Sequence, residues 1–373
     1  MAEQFEIEVE EEPLEDEVVE VFIDDEGIAS FGDEFDEDYA ISFGENIAEI
    51  LDESTRGELA SKITSYYHDD LDSRQDWYET FRDGLDLLGI KTNTRSEPFE
   101  GASGVYHPLL AEAVTHFQAQ TYRELLPAGG PVDTQVMGVT SDPKLEQANR
   151  VKNFMNYQLT YKMEEYDPEM DQMLFYLPLA GSAFKKSYYD PSVGRAVSRF
   201  VKAEDLVVPY TTNDLVTASR ITHVIRMTEN DLKKLQLSGF YRDVSMGSPS
   251  YIKQNDLQDK IDELEGVDRT GGDDEYTLLE VHGEFDLDGF EDKDENGEPT
   301  GLALPYIITI CLDTNEVLSI RQNYDPTDPM RRKVEYFTHY KFLPGLGFYG
   351  FGLIHMIGGV TKSATAILRQ LID

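Results

Sequence analysis

The first 53 residues carry 22 Asp and Glu and no Lys or Arg. Like charges at that density repel one another, and runs such as Glu10-Glu11-Glu12 and Asp36-Glu37-Asp38 have few apolar neighbours to offset the repulsion. The sequence therefore predicts a disordered acidic tail over residues 1–44, either a solubilising arm or a docking arm for a basic partner. The whole chain of 373 residues has 73 acidic and 32 basic residues and a formal net charge of -41. More than half of that charge lies in the first 53 residues. The balance argues against static binding to nucleic-acid phosphates or anionic lipid, which needs clustered Lys and Arg. Beyond the tail, the 40% hydrophobic and 11% aromatic content is enough for a core.

One cysteine, Cys311, allows no intramolecular disulfide and no Cys-rich zinc site, which fits a reducing compartment. No basic segment followed by an apolar run opens the chain, so no signal peptide is visible. The richest apolar stretch, Leu346 to Val360, is short, rich in glycine and carries His355, well below the roughly 18 apolar residues of a spanning helix.

Helical spacing of apolar residues runs from Asn46 to Leu88, with Gly89 as a stop. After a loop from Lys91 to Tyr106, a second helix is expected from Pro108 to Leu126. A third starts with Asp142 as N-cap and Pro143 at the first position, with an inward stripe of Leu145, Ala148, Val151, Met155, Leu159 and Met163. A fourth starts at Asp167-Pro168 and should kink or end at Pro178. The period then becomes two. Phe184 to Tyr189 and Arg195 to Lys202 read as a hairpin about the turn at residues 190–194. Further strands are expected at Leu206 to Val208, Ile221 to Met227, Tyr276 to Phe285, Tyr306 to Leu312 and Val317 to Arg321. Thr228 to Ser238 reads as a short helix closed by Gly239, and Ser245 to Asp274 as polar and loosely structured. From Leu353 to Asp373 the helical period returns, with Ile357, Val360, Ala364, Ile367, Leu368 and Leu371 as its stripe. No capping signal follows, so the chain reads as truncated inside a helix. The fold class is α+β: an acidic tail over 1–44, a helical part over 45–181, a β-rich part over 182–345, and the start of a long helix over 346–373.

Several fragments imitate known sites. Asp292-Lys-Asp294-Glu-Asn296-Gly297 opens like a calcium loop, but the twelfth position, which needs a bidentate Glu, is Ala303, and Asn296-Gly297 favours a plain hairpin turn. Gly101-Ala-Ser-Gly104 lacks the Lys of a phosphate loop. His68-Asp69-Asp70 has the form of a metal-phosphohydrolase doublet, yet the other histidines (His107, His116, His223, His282, His339, His355) are scattered singly. Cys311 sits among apolar strand residues and reads as inert. Lys185-Lys186 and Arg331-Arg332-Lys333 are weak basic clusters, for partner contacts or local charge balance. No catalytic, cofactor-binding or metal-binding residue is assigned.

One stretch carries family words: Gly101-Ala-Ser-Gly-Val-Tyr-His-Pro-Leu-Leu-Ala-Glu-Ala-Val114, Glu124-Leu-Leu-Pro-Ala-Gly-Gly-Pro131, Asn153-Phe-Met-Asn-Tyr157, Asp171-Gln-Met-Leu-Phe-Tyr-Leu-Pro-Leu-Ala-Gly-Ser-Ala-Phe184 and Val201-Lys-Ala-Glu-Asp-Leu-Val-Val-Pro-Tyr210. With Phe348-Tyr-Gly-Phe351 ahead of a helix, these resemble the portal proteins of tailed double-stranded DNA bacteriophages, over roughly Asn46 to Asp373. The resemblance implies a dodecameric homo-oligomeric ring at one capsid vertex. That ring would be a head–tail connector and DNA conduit for genome packaging and ejection, assembled in the host cytoplasm and resident in the virion. Its implied partners are the terminase large subunit, the major capsid and scaffolding proteins, tail or head-completion proteins, and double-stranded DNA in passage, with no membrane. It implies no enzymatic activity and no cofactor. The helical and β-rich parts would belong to the peripheral wing, and the terminal helix would lead toward the stem. Family members are longer, so the tunnel lining and terminase-binding clip fall on no residue here. A ring also needs head-to-tail contacts, for which Arg195, Arg199, Arg331 and Arg332 are expected to meet acids of a neighbour. The alternatives are another head–tail adaptor or capsid-associated structural protein, or a metal-dependent phosphohydrolase using His68 and Asp69.

Overall fold

The structure, a computed structural model, describes residues 44–90, 99, 102–247, 256–266, 275–293, 298–328 and 330–373, with the backbone alone at 21–23, 29–31 and 256. The chain divides into two units, Met1–Ser42 and Phe43–Asp373. In the first, Val21–Ile23 (β1) and Ala29–Phe31 (β2) pair antiparallel, with Phe22 opposite Ser30. Both are short uncharged triplets within the acidic sequence expected to be disordered. The rest of the predicted tail lies outside the described residues, as do most of the loop at 91–101 and the segments at 248–255, 267–274 and 294–297.

The second unit opens with helices. Asp52 caps α1 (Glu53–Asp72), its Oδ1 accepting from the Thr55 N–H at 2.9 Å. A second helix, α2 (Gln75–Leu85), follows directly. The sequence reads these as one helix. The break at Ser73-Arg74 is tertiary, because Arg74 is buried and its guanidinium caps backbone carbonyls from elsewhere. It donates to Ala203 O at 2.7 Å, Glu204 O at 2.5 Å, Leu206 O at 3.0 Å and the Tyr349 hydroxyl at 2.8 Å. Next come α3 (Leu109–Leu125), α4 (Asp142–Tyr157), which runs into a π-helical turn at Gln158–Lys162, and α5 (Tyr166–Ala180). Pro178 neither ends nor interrupts α5. It lies in the last turn and forfeits only its own N–H bond to the Leu174 carbonyl, and the helix closes three residues later at Gly181 with φ 83°.

The strands β3 (Ser182–Asp190) and β4 (Arg195–Val201) form the expected hairpin. Then come β5 (Leu206–Val207), β6 (Arg220–Thr228), α6 (Glu229–Leu237), α7 (Asp256–Glu265), β7 (Glu275–Phe285), β8 (Leu304–Cys311), β9 (Glu316–Gln322), β10 (Phe337–Lys341) and α8 (Leu353–Ile372). The larger sheet is an antiparallel meander in the order β5-β6-β7-β8-β9. The smaller has the order β10-β3-β4, with Thr338 opposite Lys185. In this unit, β10 and α7 were not foreseen. The β10 strand pairs across a long stretch of chain with no turn signal. The α7 helix lies in the segment read as loose, where Leu257, Ile261 and Leu264 keep helical spacing among charges and join the core.

Helices and strands share a hydrophobic core, and a separate cluster forms around Leu232, Tyr241, Tyr276 and Leu278. Phe81, Leu110 and Met173 from the helices sit with Phe184, Val201 and Leu206 from the strands. The division at 181/182 is therefore one of secondary structure, not of separate cores. The two sheets meet through Glu280 on β7, whose carboxylate accepts from Lys186 Nζ on β3 at 2.5 and 2.7 Å. Beside this pair the rings of His223 and His282 meet the edge of Phe337 on β10. The fold is thus α+β with antiparallel sheets throughout. Among the described residues, no helix is long and apolar enough to cross a membrane.

Candidate assembly surface

The placement of α8 begins at three glycines. Residues 179–181 and 350–352 cross in backbone contact: a Cβ on Gly352 would stand 2.1 Å from Leu179 O, and one on Gly181 would stand 2.3 Å from Gly350 O. Only glycine permits this approach. The crossing delivers α8 against α2, where Gly84 leaves room for Ile354; a Cβ at Gly84 would lie 2.2 Å from the Ile354 side chain. Further along, Gly358 faces Leu87, and Thr361 and Thr365 are buried. The segment before α3 is stitched to the same helix. His107 N–H donates to Thr365 Oγ1 at 3.1 Å, Arg369 Nε donates to Val105 O at 2.8 Å, and the Arg369 guanidinium lies 4.4 Å from the Tyr106 ring. Ser103 N–H donates to Asp373 Oδ1 at 2.6 Å.

The inner face of α8 is therefore Ile354, Gly358, Thr361 and Thr365, spaced by four, three and four. This differs from the stripe read in the sequence, because close packing selects small residues where hydropathy selects large ones. Of that stripe, Val360, Ile367 and Leu371 are exposed. With Met356 they recur at steps of four, seven and four, which places them on one helix face. A helix that packs one face and shows an apolar stripe on the other leaves that stripe uncovered by the described residues. The exposure is large, from 54% at Met356 to 79% at Leu371.

A second arm behaves likewise. The inward stripe expected on α4 is not inward: Leu145, Val151 and Met155 are exposed, and no residue of α4 is fully buried. Polar bonds hold the helix instead. Asn156 Nδ2 donates to Val132 O at 3.0 Å, and its Oδ1 accepts from the Val132 N–H at 2.9 Å. Thr134 Oγ1 donates to Ala148 O at 3.0 Å, and Lys152 pairs with Asp133 at 2.9 Å. Phe154, Tyr161, Met137 and Val139 on the same arm are exposed too.

The residues singled out in the sequence do not converge. Asp70 is buried and grips Arg220 with both oxygens, at 2.6 and 2.7 Å, whereas His68 and Asp69 are exposed. Among the described residues no group of three or more His, Cys, Asp or Glu could hold a metal ion. Lys293 bridges Pro299 antiparallel, and Asp292 accepts from the Thr300 N–H and hydroxyl, each at 2.8 Å; the intervening turn lies outside the described residues. Cys311 is buried, which pushes its thiol up and away from reactivity. The four arginines expected to seek a neighbour already have partners in the chain: Arg195 has Glu165 at 2.8 Å, Arg199 has Glu169 at 2.9 Å, Arg331 has Asp292 at 3.8 Å and Arg332 has Asp328 at 2.8 Å. Their contact with a neighbour remains an expectation; the uncovered surface on α8 and α4 is apolar. The signal was present in the sequence as helices with more apolar positions than one face can use. No protein-family model matches the chain, and no curated protein matches it.

Proposed function

We propose that this chain is the subunit of a bacteriophage portal ring, set at one vertex of the capsid as the conduit through which the genome is packaged and ejected. The observation that carries the reading is the uncovered apolar face of α8, together with the portal-like words between Gly101 and Tyr210. A head-to-tail ring needs two different surfaces on every subunit, and each surface must be covered by the next copy. The outer face of α8 and the exposed arm around α4 are two such surfaces. Exposed apolar patches of this kind mark interaction sites. The charge also fits. A conduit lets DNA slide, and a chain of net charge -41 repels a duplex rather than gripping it. On this reading the terminase large subunit, the major capsid and scaffolding proteins, and the tail or head-completion proteins are the partners.

Native mass spectrometry with negative-stain microscopy on protein from the full reading frame tests the proposal. The expected result is a closed ring of about a dozen copies with a central hole. A chain that stays monomeric, or that forms an isologous dimer, overturns it.

A further inference from the structure

Residues 147–163, which span the second half of α4 and the π-helical turn after it, hold Arg150, Lys152 and Lys162 and no Asp or Glu, in a chain of net charge -41. One side of this helix is held by its own chain, through Lys152 on Asp133 and Asn156 on Val132. The other side carries Arg150, Phe154, Tyr157 and Tyr161 at steps of four, three and four, and all four are exposed. The rings of Tyr157 and Tyr161 stack with centroids 5.9 Å apart, and Lys162 Nζ lies 5.8 Å from the Tyr157 ring. Among the described residues neither Arg150 nor Lys162 has a carboxylate partner.

Exposed aromatic side chains beside arginine and lysine are the composition of a protein–protein hot spot. The chemistry that covers them is a segment with aromatic anchors and carboxylates. A nucleic-acid backbone fits less well, because three cations, one of them already on Asp133, neutralise few phosphates. The chain itself contains the complement. Phe35, Tyr39 and Phe43 recur at every fourth residue, the repeat that sets side chains on one face of a helix. Asp33, Glu34, Asp36, Glu37 and Asp38 lie around them, and residues 32–43 hold no Lys or Arg. These residues lie outside the described ones.

We propose that the exposed side of α4 is the docking site for residues 33–43 of a second copy of this chain. Phe35, Tyr39 and Phe43 pack along Phe154, Tyr157 and Tyr161, and the carboxylates between them face Arg150 and Lys162. The aromatic rings are the anchors, and the charges steer and select. The acidic tail is then a docking arm rather than a solubilising one. This deepens the ring reading by naming what covers α4, and rests on it for the neighbouring copy; the arm adds to the α8 contact and does not replace it.

The test replaces Phe35 by the photo-cross-linker p-benzoylphenylalanine in protein from the full reading frame. Irradiation is expected to give a covalent dimer on a denaturing gel, with mass spectrometry of its peptides placing the join within residues 147–163 of the second copy. Phe154→Ser/Tyr161→Ser should lower the yield of that dimer at least about tenfold by removing the anchors, and Arg150→Glu/Lys162→Glu should lower it by repulsion. All four positions are exposed, so both variants should keep the wild-type melting temperature. Glu34→Lys/Glu37→Lys, made in the tail, should lower the yield in the same way. A cross-link confined to a single chain, a join outside residues 147–163, or a yield that none of these variants changes overturns the proposal. So does a fluorescent oligothymidylate that binds the wild type and not Phe154→Ser/Tyr161→Ser, which would make the stripe a nucleic-acid site. Native mass of the same sample before irradiation separates the docking from the ring reading. A ring without the cross-link overturns the docking alone, and the cross-link without a ring overturns the ring reading alone.

Discussion

At Glu280, burial pushes the carboxyl up, but the ammonium of Lys186 and the rings of His223 and His282 outweigh burial and hold it well below the usual carboxylate range. Breaking such a pair leaves a buried charge behind. Lys186→Met is expected to cost about 3 kcal/mol in chemical denaturation, while Lys186→Met with Glu280→Leu recovers most of that loss. Histidines set the pH response. Burial, with Lys341 nearby, draws His339 down to about 3, and burial draws His282 below its ordinary value. The unfolded chain takes up protons near the ordinary value of 6.5 and the native chain does not. Stability is therefore full above that value and falls as the pH drops below it, by up to about 1.4 kcal/mol per pH unit for each such histidine. Between the ordinary histidine and carboxylate values, the histidines carry this loss. Thermal unfolding at about pH 7 and about pH 5 should show a lower midpoint in acid, and His339→Gln should flatten the difference. An unchanged slope in His339→Gln would remove that residue from the account.

At the scale of elements, α8 depends on the glycine crossing more than on its own sequence. Gly352→Ala is expected to destabilise the chain by about 2 kcal/mol or more, because the new Cβ meets the Leu179 carbonyl and the backbone must move. Gly359→Ala, with nothing within 4 Å of its Cβ, should be neutral or stabilising by up to about 1 kcal/mol. Denaturant midpoints of the two variants distinguish these outcomes. The same helix shows what the sequence could say. Local signals were legible: Thr228 caps α6 through the Asp231 N–H, Gly239 closes it, and residues 190–194 turn the β3–β4 hairpin. Non-local facts were not. The break at Arg74 follows from carbonyls some 130 residues away, and β10 pairs with a strand some 150 residues earlier. Periodicity located α4 and α8 but assigned their apolar stripes to the interior, since a hydropathy pattern cannot tell a core face from an exposed apolar face. The candidate surface was therefore visible as a pattern and hidden as a location.

For the whole molecule, the proposed ring implies self-association without new polar anchors. The arginines are engaged within the chain, so salt should weaken assembly little, and apolar contact should dominate. Sedimentation at low and high salt checks this; dissociation in high salt would restore the arginines to the interface. The most direct measurement compares the native mass of the wild-type chain with that of Val360→Glu/Ile367→Glu, two exposed positions on the outer face of α8. The account predicts a closed ring of a single stoichiometry for the wild type. It predicts a monomer for the variant, with an unchanged thermal midpoint because neither side chain serves the core. A wild-type chain that remains monomeric, or a variant that still closes the ring, would contradict the claim that α8 is a subunit contact.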